Sequence, residues 1–334
     1  LRIPMVSSNN MNSCTDEQFM ELWDKHRSVT KVAKILGITE RAVNYRRRSM
    51  ENIHEVKLGA NDSRSAKYDA KRPKSFSPLK QIELGMLDGT VIVFSDAHFI
   101  PGQRTTAFKG LLWAIEQFKP KAVICNGDAF DGASISRHDV TELPQTSVIQ
   151  ELKATQGALG EIEETAKAAR HNVKLLFTWG NHDIRFGNRL AQHAPQFKEV
   201  LGFKLTDHIT EWDFCWAVWP TDNVIVKHRY KGGIHATHNN TVNAGVSIIT
   251  GHLHSLKVTP FSDYNGVRYG VDTGTLAETD GPQFNYAEIN PNNHRSGFAV
   301  LNFFNGQLLW PELVHKFDED QIQFRGEVID VGAF

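Results

Sequence analysis

Cysteine is scarce in this chain, long apolar runs are missing, and almost no net charge remains. The three cysteines, Cys14, Cys125 and Cys215, are odd in number and far apart, which excludes a disulfide framework and points to a reducing, cytoplasmic setting. No stretch approaches the roughly 18 apolar residues that a membrane span needs, and the first residues lack a signal-peptide core. Neither a membrane partner nor export is therefore expected. The opening LRIPMVSSNN carries no motif, and no repeat of fixed period is visible. At 334 residues the chain is long for one core and comfortable for a small module plus a larger domain.

The net charge of −1 hides an asymmetry. Residues 1–80 hold 16 Lys and Arg against 9 Asp and Glu, a balance of +7; the remainder holds 21 against 29, a balance of −8. A basic front on an acidic body implies two different tasks.

Helical spacing governs the front. Thr15 is a candidate N-cap for "DEQFMELWDKH", where Phe19, Leu22 and Trp23 share a face. Val32, Ala33 and Leu36 line a second short helix that stops at Gly37, and Thr39 can cap a third that begins at Glu40. Ala33, Gly37 and Val43 fit a helix-turn-helix: a small residue for close approach, a glycine for the tight turn and a valine in the angle between helices. Arg41, Arg46, Arg47 and Arg48 lie on or beyond the second helix of that turn, where they are expected to meet DNA. The competing reading is a solvated basic face on a protein-docking module. From about Glu55 the chain becomes a basic, Ser- and Pro-containing stretch with no apolar period, expected to be a flexible linker.

From Thr90 the pattern changes. Apolar runs such as "VIVFSDAH", "AVICNGD" and "VKLLFTWGNHD" alternate with helical stretches, one over "TTAFKGLLWAIEQFK" and one from about Pro144 to Arg170. This alternation predicts an α/β domain with a partly parallel sheet. The later part reads as more β, and Asn305-Gly306 between alternating residues is a hairpin signal.

The apolar runs end alike, on polar groups: Asp96-Ala-His98, Gly127-Asp128, Gly180-Asn181-His182-Asp183, His228, and Gly251-His252-Leu-His254. Carboxyl ends of strands gather along one edge of such a domain, where ligands bind. Oxygen and imidazole donors without thiolate suit Mn, Fe or Zn.

In this order the motifs resemble the calcineurin-like metallophosphoesterases, over roughly Thr90 to Val314. The resemblance implies a four-layer α/β/β/α sandwich and two divalent metal ions per chain, Mn²⁺ foremost, with Fe, Zn and Mg as alternatives. It implies that Asp96, His98 and His254 hold one metal, that Asn181, His228 and His252 hold the other, and that Asp128 bridges both. It places His182 facing the substrate phosphate as the acid for the leaving oxygen, oriented by Asp183. The expected chemistry is hydrolysis by a metal-bridging hydroxide. A glycine usually follows the lone His in that family, whereas this chain has "HRYKGGIHATH", so His235 and His238 compete with His228. Asp131 matches a position that usually supports a ligand without touching metal. Arg137, His138 and Arg185 are placed either to reach phosphate or to face solvent. Trp212, Trp216 and Trp219 read as core rather than a stacking platform, and Asp272 as a turn residue.

The expected organisation is a helix-turn-helix module over 1–54, a basic linker over 55–88 and a phosphoesterase domain over 89–334. DNA is the expected partner, with a nuclease-like phosphodiesterase as the expected activity and oligomers left open. A phosphomonoesterase or small-nucleotide diesterase is one rival; a DNA-binding regulator without turnover is the other.

Overall fold

The computed structural model describes residues 14–54, 58, 80–86, 88–136, 146–197, 200–287 and 292–334. Contacts divide the chain into two compact units, Leu1–Pro73 and Lys74–Phe334. The stretch 59–79 expected as linker, the opening residues, Arg137 and His138 lie outside the described residues.

The first unit holds three helices, α1 (Asp16–His26), α2 (Val29–Leu36) and α3 (Glu40–His54). Local rules set each boundary. Thr15 and Gln18 form a reciprocal cap: the Thr15 hydroxyl accepts from the Gln18 amide at 3.3 Å, and the Gln18 side chain accepts from the Thr15 amide at 3.0 Å. The Ser28 hydroxyl accepts from Lys31 N to start α2, Gly37 at φ 65° ends it, and the Thr39 hydroxyl accepts from Ala42 N to start α3. Phe19, Trp23, Val32 and Val43 are fully buried or nearly so, with Met50 and Leu58 beside them. Each such side chain contributes about 1.5–3 kcal/mol by leaving water.

Two sheets organise the second unit. The larger runs in the order β15 (Glu327–Asp330), β14 (Gln321–Phe324), β13 (Glu312–Asp318), β11 (Gly297–Phe304), β2 (Gly89–Phe94), β3 (Ala122–Cys125), β4 (Lys174–Thr178) and β5 (Asp213–Cys215), with β12 (Gln307–Leu308) paired to β11. β2 through β5 are parallel neighbours and the rest are antiparallel. The smaller sheet runs β1 (Gln81–Glu83), β6 (Ala217–Thr221), β7 (Val224–Val226), β8 (Ser247–Thr250), β10 (Gly266–Asp272) and β9 (Lys257–Asp263).

The continuous apolar runs are explained by burial on both faces. Val91, Val93, Ala122 and Ile124 turn toward Val218, Val226, Ile249 and Val271 of the smaller sheet in one shared cluster. Their neighbours Ile92, Phe94, Val123 and Cys125 turn the other way, toward α4 (Thr106–Phe118) and α5 (Val148–Ala169). α8 (Ala236–Ala244) packs on β8, β9 and β10. Two shorter helices, α6 (Asp183–His193) and α7 (Leu205–His208), follow β4. Among the described residues no helix is long and apolar enough to cross a membrane.

Asn305 and Gly306 adopt φ 49° and 75°, and Phe304 pairs with Gln307 across them. This is the two-residue turn that the sequence signals. A second hairpin of that kind joins β14 to β15 through Arg325 and Gly326, at φ 51° and 84°, and the sequence reading overlooked it because an arginine stands where Asn or Asp is expected. The expected linker boundary of 55–88 also moves. Gln81–Glu83 pair in parallel with Ala217–Trp219, and the Leu84 and Met86 amides donate to the Trp219 and Pro220 carbonyls at 2.9 and 2.7 Å. Met86 is buried between the sheets, so residues before 89 already belong to the second unit.

Candidate metal centre and its acid arm

The ends of β2, β3 and β4 in one sheet and of β7 and β8 in the other deliver the polar motifs to a single edge. Three groups of donors converge there, each with its ligand atoms within 4.8 Å of one another: Asp96, His98 and His254; Asp128, His228 and His252; and His98, Asp128 and His182. Asp128 and His98 each belong to two groups, so the clusters are contiguous. Asn181 joins them, its Oδ1 lying 3.3 Å from His228 Nε2, which is also 3.1 Å from Asp128 Oδ2. His254 Nε2 lies 3.1 Å from Asp96 Oδ1. His235 and His238, the competitors of His228, are exposed at the start of α8, and the His238 ring packs on Phe261.

Backbone conformation shows how hard the fold works to assemble this edge. Asp96, His98, Asp128, His252 and His254 have φ of 53°, 42°, 55°, 73° and 57°, in the left-handed region that costs a non-glycine residue about 1–3 kcal/mol. Glycine is required beside them for space. A Cβ on Gly180 would lie 2.1 Å from Asp128 Oδ1, and one on Gly251 would lie 2.5 Å from Asp96 Oδ2.

The donors fit a pair of divalent cations. His228 Nδ1 meets the Asn126 carbonyl at 2.8 Å and His98 Nδ1 meets Asp131 Oδ1 at 3.1 Å. Each outer nitrogen therefore donates, and the inner Nε2 is left with its lone pair for a metal. His254 Nδ1 is buried without a hydrogen-bond partner among the described residues. Electrostatics point the same way. Burial alone would raise Asp96, yet His254 and His228 hold it at about 2. Burial alone would lower His228, yet Asp128 and Asp96 push it up to about 10. Buried carboxylates here draw positive charge onto an imidazole, a demand that divalent cations meet directly.

The acid arm differs from expectation. Asp183 does not orient His182. Its buried carboxylate accepts from the amides of Asp128, Gly180 and Phe130 at 2.7, 2.9 and 3.1 Å, tying the β3 and β4 loops together. Burial and the nearby Asp128 raise Asp183 to about 7 despite those donors. Asp131 fills the orienting role instead: His182 Nδ1 lies 2.9 Å from both its Oδ1 and its carbonyl. Sequence adjacency misleads because α6 begins at Asp183 and turns that side chain inward. Burial lowers the His182 pKa, but Asp131 and Asp128 outweigh it against the opposing Arg185, so the net shift is upward. Arg185 donates to the Asp131 carbonyl at 3.0 Å and lies 2.9 Å from His182 Nε2.

Several supporting groups escaped the sequence reading. Asn126 is buried; its carbonyl takes His228 Nδ1, and its amide takes Thr178 and donates to the Lys227 carbonyl. Asp272, by contrast, was expected as a turn residue, and its Oδ1 accepts from the amides of Ser255, Leu256 and Gly274, fixing the loop that follows His254. His294 stacks edge-on against His254 at 4.6 Å. The one available signal was a polar residue inside an apolar run, as in "AVICNGD". Trp212 is core; Trp216 and Trp219 are partly buried.

In the first unit, two of the four expected DNA-binding arginines are engaged internally. Arg46 donates to the Cys14 carbonyl and to Asp16, and its guanidinium lies 5.2 Å from the Phe19 ring. Arg47 lies over Trp23 and 3.8 Å from Glu51. Arg41 and Arg48 are exposed, and with Tyr45 they are spaced four and three residues apart on α3, which aligns them on one face.

A family model described as calcineurin-like phosphoesterase matches residues 89–270, more than half of the chain. No curated protein sequence matches. Among solved structures, Vps29 of Chaetomium thermophilum is similar at 13% identity, over 72% of this chain and 97% of that one, with a TM-score of 0.38. A protein serine/threonine phosphatase of Saccharomyces cerevisiae, described as similar to human phosphatase PP5, is similar at 12% identity, over 81% of this chain and 96% of that one, with a TM-score of 0.36.

Proposed function

The chain belongs to the calcineurin-like phosphoesterase family, and from that premise we propose that it is a two-metal phosphodiesterase acting on DNA, within the four-layer arrangement the family resemblance implies. The observation that carries the hydrolase reading is the sharing of Asp128 between two donor groups. Asp96, His98 and His254 would hold one cation, and Asn181, His228 and His252 the other, with Asp128 between them. When bound, such a pair supplies Lewis acidity to the phosphoryl oxygens and lowers the pKa of the attacking water.

The acid work falls to His182. Asp131 fixes its Nδ1 and raises its pKa, which favours the protonated ring, and leaves Nε2 toward the substrate. An imidazolium has no lone pair to accept from Arg185, so Arg185 leaves Nε2 for a phosphoryl oxygen when substrate binds. Nε2 then donates its proton to the leaving oxygen.

The DNA assignment rests on the exposed Arg41, Tyr45 and Arg48 face of a basic front unit, which suits phosphates and base edges. That unit raises the local concentration of DNA at an otherwise acidic body. The −8 balance of that body favours a small diester as the second reading.

The test is turnover by the full chain with Mn²⁺ on a generic diester, a monoester, and labelled single- and double-stranded DNA. Cleavage of DNA that weakens in Arg41→Ala and Arg48→Ala while the generic diester is hydrolysed normally supports the proposal. Hydrolysis of the monoester alone, or no turnover with any divalent metal, overturns it.

A further inference from the structure

A groove of about 720 Å³ opens beside the His254 arm of the site. Its inner end is joined to the centre covalently and by hydrogen bonds: Ser255 follows His254, and the Arg295 amide donates to the His254 carbonyl at 2.7 Å. Its outer end is Trp310, 59% exposed on the turn between β12 and β13, with one edge held against Tyr269 at 5.4 Å. An indole of that exposure at the outer end of the groove presents aromatic surface for stacking.

The charges along the groove are unbalanced. Glu312 is held bidentately by Arg325 at 2.7 and 2.5 Å. Lys257 and Arg295 have no carboxylate partner among the described residues; their contacts are the carbonyls of Ile234 and His294, at 2.8 and 2.9 Å. Two uncompensated cations on a domain that is acidic as a whole mark a place for phosphates.

We infer that this groove is a strand-binding track in which Arg295 and Lys257, at its inner end, take the phosphates beside the scissile phosphodiester while an unpaired nucleotide further along the strand stacks its base on Trp310 at the outer end. The inference rests on the proposal that DNA is the substrate, and it narrows the substrate in the groove to single-stranded DNA. A lone exposed indole reads an unstacked base, which a duplex does not present, and stacking of that kind tolerates any base. The Lys257 contact to Ile234 also ties the track to the loop that follows His228, whose Arg229, Tyr230 and Lys231 are exposed.

The experiment compares Mn²⁺-loaded full-length wild type, Trp310→Ala, Trp310→Phe and Arg295→Ala on bis(p-nitrophenyl) phosphate and on an end-labelled single-stranded oligonucleotide. The readout is the ratio of the two kcat/KM values. Trp310→Ala lowers this ratio about tenfold, in the range of one base–aromatic stack, and Trp310→Phe restores most of it. Arg295→Ala flattens the salt dependence of oligonucleotide binding by about one phosphate contact. A ratio unchanged in Trp310→Ala, with wild type cleaving the oligonucleotide, overturns the track and leaves the DNA proposal standing. A wild type that hydrolyses the small diester but neither binds nor cuts the oligonucleotide overturns both.

Discussion

The three-helix front and the edge that gathers the candidate metal ligands are built by opposite means. In the front, each helix starts on a hydroxyl cap and α2 stops on a glycine, so boundaries are set within four residues of sequence. At the edge, five of the seven expected ligands sit in left-handed backbone that their own side chains disfavour. Tertiary contacts must hold them there: Thr275 to the Asp96 carbonyl, Asp183 to three loop amides, Asp272 to three more. The front is locally determined and tolerant; the edge is globally determined and brittle.

The sharpest way to break that contrast is Gly180→Ala. Its methyl group has no room beside Asp128, so metal affinity falls about ten- to a hundredfold and activity with it. Elemental analysis after gel filtration checks this; full metal content in a folded variant would show that the edge yields more than its geometry implies.

A smaller effect separates the two aspartates. Asp131 raises the His182 pKa, so activity that needs protonated His182 persists below that pKa and is lost as pH rises through it. Asp131→Asn removes the charge, lowers the His182 pKa and moves the alkaline limb of kcat to lower pH, while its remaining side-chain oxygen still accepts from His98 Nδ1 and limits the loss of metal. Asp183→Asn offers an NH₂ to amide donors, so it loosens the loops and loses metal without moving that limb. If the alkaline limb followed Asp183 rather than Asp131, the assignment of the acid arm would be reversed.

The smallest effect belongs to the front. Thr15→Ala removes one half of the α1 cap and costs about 1 kcal/mol of helix stability. Thermal melting followed by far-ultraviolet dichroism reads the loss, and hydrolysis of a small diester stays as in wild type.

The same contrast explains what the sequence disclosed. The α1 cap, the stop at Gly37 and the Asn305-Gly306 turn were legible because each is a local rule. The polar ends of the strands were legible because each motif is contiguous, and the structure gathers them at one edge. What stayed hidden depends on the path of the chain between motifs. Asp131 reaches His182 because the β3 loop folds back over it, a fact that no spacing encodes. Arg46 and Arg47 look like DNA contacts in a basic run, yet α3 rotates them toward Phe19 and Trp23. Three-residue strands such as β1 and β5 are too short to show a period.

The pairing of β1 with β6 sets a limit on how the protein can be divided. Gln81–Glu83 cover one side of β6, and Met86 plugs the space between the sheets. A polypeptide trimmed to begin at residue 89, where the family likeness starts, would bare a ladder of amides and carbonyls beside an unfilled apolar gap. Such a flank invites a second copy to pair there, so a cut intended to isolate the hydrolase belongs upstream of Lys80.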